Sequence, residues 1–160
     1  MKKLMSEWAY INGSILVEIP GKTQEEKDKV VAALLKELPQ INGSEGPMCV
    51  QALMLEGYGE HPNPKLVEEG LVEGPVTQDF YNIVLTGFLR NRFLTDTTDE
   101  FYDFLQELYG RVAIRDMAVS INGINEEYEQ ETRFYDYLFV NELDFDYQLR
   151  RDFTRCAHND

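Results

Sequence analysis

Basic residues are scarce in this chain, and their scarcity excludes more than any motif does. The 160 residues include 15 Lys and Arg against 29 Asp and Glu, which gives a formal net charge of −14 at pH 7. Bare nucleic acid and anionic membranes repel such a surface, whereas a basic groove of another protein attracts it. We therefore expect no direct binding to nucleic acid or membrane, and a protein partner with a basic nucleic-acid-binding surface.

Cysteine, histidine and long apolar runs are also scarce. The chain has two cysteines and two histidines, and it contains no CxxC, HExxH, P-loop or GxGxxG motif. We therefore predict no catalytic residue, no cofactor and no enzyme activity. No run reaches the roughly 18 apolar residues of a spanning helix, and the opening residues lack the apolar region of a signal peptide. These features favour a protein of the cytoplasm.

The pattern of apolar residues predicts an α+β core over residues 1–125. Alternation in steps of two predicts strands, and Met117, Val119 and Ile121 alternate inward in the last of them. Two capping boxes, Thr23 with Glu26 and Thr97 with Glu100, mark the starts of helices. The strands are predicted at 8–19, 48–56, 80–89 and 112–121, and the helices at 24–38 and from Thr97 to the residue before Gly110.

This order is strand, helix, strand, strand, helix, strand. It is the ferredoxin-like arrangement, an antiparallel sheet of four strands with two helices on one face. A long loop is predicted at 57–78, because prolines and glycines break any pattern there. Asn122-Gly123 is predicted to turn the chain after the fourth strand.

Alternation also places polar and aromatic residues on the open face of this sheet. In RNA-binding sheets of this topology, aromatic residues on that face stack on bases, but basic residues surround them there, and here they are few. The simplest interpretation is that the C-terminal aromatic segment folds over the open face. A homodimer interface or a partner surface are the alternatives. The residues predicted on this face are Trp8, Tyr10, Asn12, Ser14, Phe80, Asn82, Thr86, Ser120 and Asn122.

Residues 126–160 differ in composition and are predicted to be an acidic, aromatic extension packed on the core. A terminal helix is predicted near 142–156, because Phe145, Leu149, Phe153 and Cys156 have helical spacing. Regularly spaced carboxylates on a rigid surface can imitate a phosphate backbone. The residues predicted to contact a partner are the carboxylates Glu126, Glu127, Glu129, Glu131, Asp136, Asp144 and Asp146, with Tyr128, Tyr135 and Tyr137 as aromatic anchors.

Paired carboxylates could also bind a divalent cation. Asp96 with Asp99 and Asp144 with Asp146 are the two candidates, but the ligand spacing of an EF-hand is missing. We interpret the first pair as acids at a helix start and the second as a solvated acidic face, so no metal site is predicted.

Three stretches resemble a known group of proteins. They are Ser6-Glu7-Trp8-Ala9-Tyr10-Ile11-Asn12-Gly13-Ser14-Ile15, Gly21-Lys22-Thr23-Gln24-Glu25-Glu26-Lys27 and Gly43-Ser44-Glu45-Gly46. These stretches resemble small proteins encoded in phages and integrated elements of Gram-positive bacteria. The resemblance covers about the first 125 residues. Most of those proteins have no assigned function, so it implies an origin and no catalytic residues.

Small acidic phage proteins without enzyme motifs include many inhibitors of host defence. The resemblance therefore implies an anti-CRISPR-like inhibitor, a non-enzymatic protein in the bacterial cytoplasm whose acidic surface occupies a basic groove of a nucleic-acid-directed defence protein. Two alternatives stay open. One is a small-ligand binder that uses the open sheet face, and the other is a structural or regulatory protein of the mobile element. An enzyme dependent on Cys49 or His61 ranks below both.

Overall fold

The computed structural model describes residues 7–55, 60–61 and 77–143. These residues form an α+β fold. In chain order its elements are β1 (Trp8–Glu18), α1 (Gln24–Glu37), β2 (Asn42–Gly43), β3 (Gly46–Pro47), β4 (Cys49–Met54), β5 (Glu60–His61), β6 (Thr77–Gln78), β7 (Phe80–Arg90), α2 (Leu94–Tyr109), β8 (Ala113–Ile124) and β9 (Gln130–Tyr135), and residues 137–143 are also helical. One antiparallel sheet has the order β4-β7-β1-β8-β9, while β2 pairs with β3 and β5 with β6.

One face of the large sheet is buried beneath α1 and α2. Ile15 of β1 is fully buried and lies opposite Ile83 of β7 and Met117 of β8. Side chains of both helices join the same core, among them Leu34 and Leu38 of α1 and Phe101, Phe104, Leu105 and Leu108 of α2. The strands predicted at 8–19, 48–56 and 80–89 are confirmed as β1, β4 and β7, each within two residues at its ends.

Gly13 lies where β1 passes close to the backbone of β8. Its φ is +148°, and a Cβ at this position would lie 2.1 Å from the carbonyl oxygen of Ala118. Only glycine accepts both the backbone conformation and the close approach. This requirement explains why a glycine interrupts the apolar inner face of β1.

The helix predicted at 24–38 is confirmed as α1. The Thr23 hydroxyl oxygen accepts a hydrogen bond from the backbone N–H of Glu26 at 3.1 Å, as an N-cap residue does. The Glu26 carboxylate in turn accepts from the N–H of Lys22 at 2.7 Å, one residue before the position that a capping box requires. The helix start therefore follows from the local sequence.

The second helix begins earlier than predicted. α2 starts at Leu94, and Phe93 at its N-cap position provides no side-chain hydrogen bond. Thr97 is buried, and its hydroxyl donates to the carbonyl oxygen of Phe93 at 3.1 Å. Glu100 forms a salt bridge with Arg92 at 2.6 Å. The capping box predicted for Thr97 and Glu100 is therefore wrong, because burial of Leu94 extends the helix back past the threonines.

β8 continues through the turn predicted at Asn122-Gly123 and ends at Ile124. Asn122 pairs with Tyr10 of β1 on one side and with Thr132 of β9 on the other. Asn-Gly is frequent in hairpin turns because both residues tolerate positive φ. Here pairing with two neighbouring strands outweighs that local preference, and the chain turns at 125–129 instead.

The described part of the C-terminal segment, residues 126–143, extends the sheet and packs on its helical side. β9, which the sequence pattern did not predict, pairs antiparallel with β8. In the helical stretch that follows, Val140 and Leu143 are buried in the core that α2 also contacts. These residues therefore do not cover the open face, which corrects that expectation for 126–143.

Two predicted elements fall largely outside the described ranges. They are the loop at 57–78, of which only β5 and β6 are described, and the terminal helix at 142–156. Among the described residues, no helix is both long enough and apolar enough to cross a bilayer.

Candidate partner-binding surface

The acidic residues predicted to bind a partner begin in the turn between β8 and β9. Glu126, Glu127 and Glu129 are exposed there. Asn125 orders the turn, because its side-chain oxygen accepts hydrogen bonds from the N–H groups of Glu127 at 3.0 Å and Glu129 at 2.9 Å. Tyr128 adopts a left-handed φ of +61°. These constraints present the three carboxylates from a fixed backbone.

Two more of the predicted residues lie at the border of this turn. Tyr128 is 67% exposed, and its ring meets that of Phe93 edge-on with 6.0 Å between ring centres. The Glu131 carboxylate accepts a hydrogen bond from the side-chain amide of Asn125 at 3.2 Å and lies 3.4 Å from the Arg133 guanidinium. Tyr128 therefore keeps most of its surface exposed beside Phe93, and Glu131 has polar contacts with Asn125 and Arg133.

Asp136 comes directly before the helical residues 137–143. Its carboxylate accepts a hydrogen bond from the N–H of Leu138 at 3.0 Å, which stabilises the start of the helix. Tyr137 beside it is exposed. Asp144 and Asp146, which were also predicted to contact a partner, lie outside the described residues.

Tyr135 belongs to the core. It is 8% exposed, and its ring packs edge-on against Phe101 and Phe139 with 4.9 Å between ring centres in each case. Burial raises the pKa of its hydroxyl, and the positive charge of Arg133 partly offsets the effect. The prediction that Tyr135 anchors a partner is therefore wrong, because strand alternation in β9 turns it inward and turns Phe134 outward.

α2 presents a row of carboxylates that the sequence pattern did not identify as a binding surface. Four residues of α2 are exposed, and all four are acidic: Asp96, Asp99, Asp103 and Glu107. Spacings of three and four residues place them on one side of the helix. At about 1.5 Å per residue the row is about 16 Å long. We call these four residues the α2 acidic ridge.

The α2 acidic ridge opposes the stability of its own helix. Asp99 and Asp103, and Asp103 and Glu107, are like-charged neighbours at i,i+4, and each such pair costs about 0.2–0.5 kcal/mol. Glu107 lies 3.7 Å from Arg111. Within the described part of the chain, the three aspartates of the ridge form no salt bridge. Their carboxylates are therefore free to meet the cations of a partner.

The ridge and the acidic turn are neighbours. Phe93, at the start of α2, contacts Tyr128 of the turn, and Tyr102 of α2 contacts Phe139 at 6.0 Å between ring centres. α2 carries five acidic and no basic residues, and residues 125–143 carry six acidic and one basic. α1, in contrast, carries four acidic and three basic residues. Negative charge is thus concentrated around α2 and the acidic turn, which we call the acidic surface.

The face of the large sheet that turns away from the helices has a different character, and we call it the open face. Trp8 stacks on Tyr10 with 6.3 Å between ring centres, and Tyr10 meets Phe88 edge-on at 5.4 Å. The strand register also places the other residues predicted for the open face on that face. They are Asn12, Ser14, Phe80, Asn82, Thr86, Ser120 and Asn122.

The candidates for catalysis and metal binding do not come together in the described chain. Cys49 is exposed on β4, and His61 lies in the separate strand β5. No group of three or more His, Cys, Asp or Glu in the described ranges could hold a metal ion. A cavity of about 180 Å³ at the end of α1 is lined by apolar side chains and Gln40. It offers a partner no charged group.

Comparison with known proteins finds no match to the chain among protein-family models, curated proteins or solved structures. The charge and geometry of the two surfaces are therefore the basis for assigning a function.

Proposed function

We propose that this protein is a non-enzymatic inhibitor whose acidic surface occupies the basic groove of a protein that acts on nucleic acid. The observation that carries the proposal is that every exposed position of α2 is a carboxylate. These charges form a rigid row that is about 16 Å long by helix geometry. Lysines and arginines can pair with such a row of negative charges as they pair with a phosphate backbone. Electrostatic complementarity of this kind gives specificity and rapid association.

A solubilising role alone does not account for this arrangement. Both signs of charge can be interspersed on a surface without loss of solubility, as they are on α1. On α2 the like-charged neighbours lower helix stability, and Asp103 has an acidic residue one turn away on either side. Local rules of stability are most often broken at functional sites. This supports selection of the α2 acidic ridge for binding.

The class of target that we propose is a host defence protein, as an anti-CRISPR-like or anti-restriction inhibitor would require. This choice of target follows from the expectation, drawn from residues 6–15, 21–27 and 43–46, that the chain comes from a phage or an integrated element. Such an inhibitor acts in the bacterial cytoplasm, where its target meets foreign nucleic acid.

The finer fold that we propose is ferredoxin-like for residues 1–125, followed by an extension at 126–160. The strand order β4-β7-β1-β8, antiparallel at each step, supports it. So does the chain order, with α1 after β1 and α2 after β7. In the extension, β9 adds a fifth strand beside β8 and borders the acidic surface.

Affinity capture from a host lysate tests the function. The tagged wild-type chain should retain a nucleic-acid-binding protein at low salt, and added duplex DNA or high salt should release it. The double variant Asp99→Lys with Asp103→Lys should lose the partner. The control Glu25→Lys with Glu37→Lys makes the same change in net charge on exposed residues of α1 and should keep it.

Two outcomes of this capture would contradict the proposal. If both double variants lose the partner equally, net charge and not the α2 acidic ridge governs binding. If the ridge variant, folded by circular dichroism, keeps the partner and DNA does not compete, the groove mechanism is wrong.

A further inference from the structure

The open face carries exposed aromatic residues that the acidic surface does not use. Phe88 is 67% exposed and Tyr10 37%, and their rings lie 5.4 Å apart next to Trp8. Phe134 of β9, which points outward on the same face, is 78% exposed. The cluster of Trp8, Tyr10 and Phe88 is a contiguous apolar patch, and such patches mark interaction sites in soluble proteins.

Charge determines which partner this face can accept. At its centre lie the uncharged Asn12 and Thr86, which pair in the register. At one end of the face, Arg90 forms a salt bridge with Glu45 at 2.7 Å. At the other end, the carboxylate of Glu18 accepts a hydrogen bond from Arg115 at 2.7 Å. A nucleic acid would find no free cations among these residues. Asp116, opposite Leu16 in the register, adds an exposed carboxylate to this face. A second copy of the chain still meets fewer uncompensated charges here than at the acidic surface.

The apolar residues of the open face are also arranged for self-association. The aromatic cluster occupies one end, and the apolar residues toward the other end are Leu16, Leu53, Phe80 and Val84, with the uncharged row between them. Tyr10 and Leu16 are equally distant from Gly13 along β1. A twofold axis that crosses the strands near Gly13 would place the aromatic cluster of one copy over the Leu16 end of the other, and each contact would occur twice, as in any isologous interface.

The area of the face suits a stable dimer. β1, β7 and β8 contain 11, 11 and 12 residues, and β4 and β9 contain six each. With strands about 4.8 Å apart and a rise of about 3.3 Å per residue, the face covers about 700 Å². A standard interface buries about 800 Å² on each partner.

We propose that the open face is the interface of a homodimer, formed by two sheets packed face to face. The acidic surfaces of the two copies then lie on opposite outer sides of the dimer. This inference goes beyond the proposed function and does not depend on it, because no residue of the α2 acidic ridge takes part in the interface.

Light scattering coupled to size exclusion tests the dimer on the full chain. The wild type should show twice the 18.6 kDa mass of one chain at about 100 μM. Phe88→Glu places a charge in the interface and should be monomeric at the same concentration. Leu138→Glu, at a residue 71% exposed outside the open face, is the matched control and should stay dimeric. Both sites are exposed, so both variants should keep the wild-type circular dichroism spectrum.

Trp8, the only tryptophan, reports on the face itself. Dilution of the wild type through the dissociation range should shift its emission to longer wavelength and increase its quenching by acrylamide, because the ring becomes more exposed to water. Phe88→Glu should show the long-wavelength emission and the strong acrylamide quenching of the dissociated chain at every concentration.

Three results would overturn the proposal. A monomeric wild type at about 100 μM excludes the dimer, and a protected Trp8 in that monomer would indicate a different ligand on the face. A dimer that persists in Phe88→Glu, or that dissociates without a change in Trp8 emission, places the interface elsewhere.

Discussion

At the scale of single residues, the environment of a side chain decides its role more than its type does. Tyr128 and Tyr135 both lie in the acidic, aromatic segment, but the first is exposed and the second is buried between Phe101 and Phe139. Tyr81 is also buried, and its hydroxyl accepts a hydrogen bond from Gln24 at 2.5 Å. Burial raises the pKa of Tyr81, as it does that of Tyr135.

Replacing Tyr135 by Phe should reduce the loss of stability at high pH. The folded-state pKa of Tyr135 is raised above the 10.0 of an ordinary tyrosine, so the unfolded chain releases this proton first. The contribution of the neutral hydroxyl is complete below that ordinary pKa and is lost as the pH rises through the folded-state pKa. Urea unfolding at about pH 8 and about pH 11 should show a smaller decrease in unfolding free energy for Tyr135→Phe than for the wild type.

Tyr137→Phe is the control for this measurement, because Tyr137 is 51% exposed. The two variants remove the same hydroxyl group, one from the core and one from the surface. An equal decrease in unfolding free energy in the wild type and in Tyr135→Phe would show that the fold does not protect the Tyr135 hydroxyl.

At the scale of elements, α2 combines a buried apolar side with an exposed acidic side. Phe101, Phe104, Leu105 and Leu108 are fully buried, while every exposed position is Asp or Glu. The apolar side anchors the helix on the sheet, so the acidic side can oppose helix stability without unfolding it.

Asp103→Lys should therefore stabilise the fold and weaken binding of the partner. The lysine replaces two repulsive i,i+4 neighbours, Asp99 and Glu107, by two attractive ones, which is worth about 1 kcal/mol at low salt. Chemical denaturation at low salt measures the gain, and capture of the partner measures the loss. Asp103→Asn should show roughly half of the gain. Lower stability in Asp103→Lys would show that the like charges do not strain α2.

Local signals explain which elements could be predicted from the sequence. The Thr23 cap and the period of two in β1 depend on near neighbours in the chain, and both are confirmed. Thr97 has the same capping signal as Thr23, but burial of Leu94 against the core decides where α2 begins. Likewise, strand pairing of Asn122 overrides its turn preference. These outcomes depend on residues far apart in the chain, which a local pattern does not contain.

The candidate site was predictable only in part for the same reason. The exposed carboxylates Glu126, Glu127 and Glu129 could be predicted from composition, but the turn that presents them was predicted at Asn122-Gly123. The acidic residues of the α2 acidic ridge, at positions 96, 99, 103 and 107, can be seen in the sequence. That they are the exposed positions of α2 becomes known only from the structure. The inward orientation of Tyr135 follows from β9, and β9 forms because β8 offers it an edge.

At the scale of the whole molecule, the net charge of −14 opposes the compact state. Salt should therefore stabilise the folded protein, because ions screen repulsion over about 10 Å at 0.1 M. We expect the melting temperature to rise between about 10 mM and about 500 mM potassium chloride. The variant Asp99→Asn with Asp103→Asn should show a smaller rise.

The opposite result has a definite meaning. A melting temperature that falls with added salt would show that attractive pairs at the surface, such as Lys29 with Glu25, outweigh repulsion among the carboxylates.

The unequal charge of α1 and α2 contributes a dipole component in the plane of the sheet, because α1 lies beside β4 and α2 beside β8. In the field of a cationic body this component turns α2 toward the body and α1 away from it. In the proposed face-to-face pair, components along the sheet normal cancel, whereas a component along a twofold axis that crosses the strands adds. If both proposals hold, the pair would keep the orienting torque of the single chain and present two acidic surfaces at once.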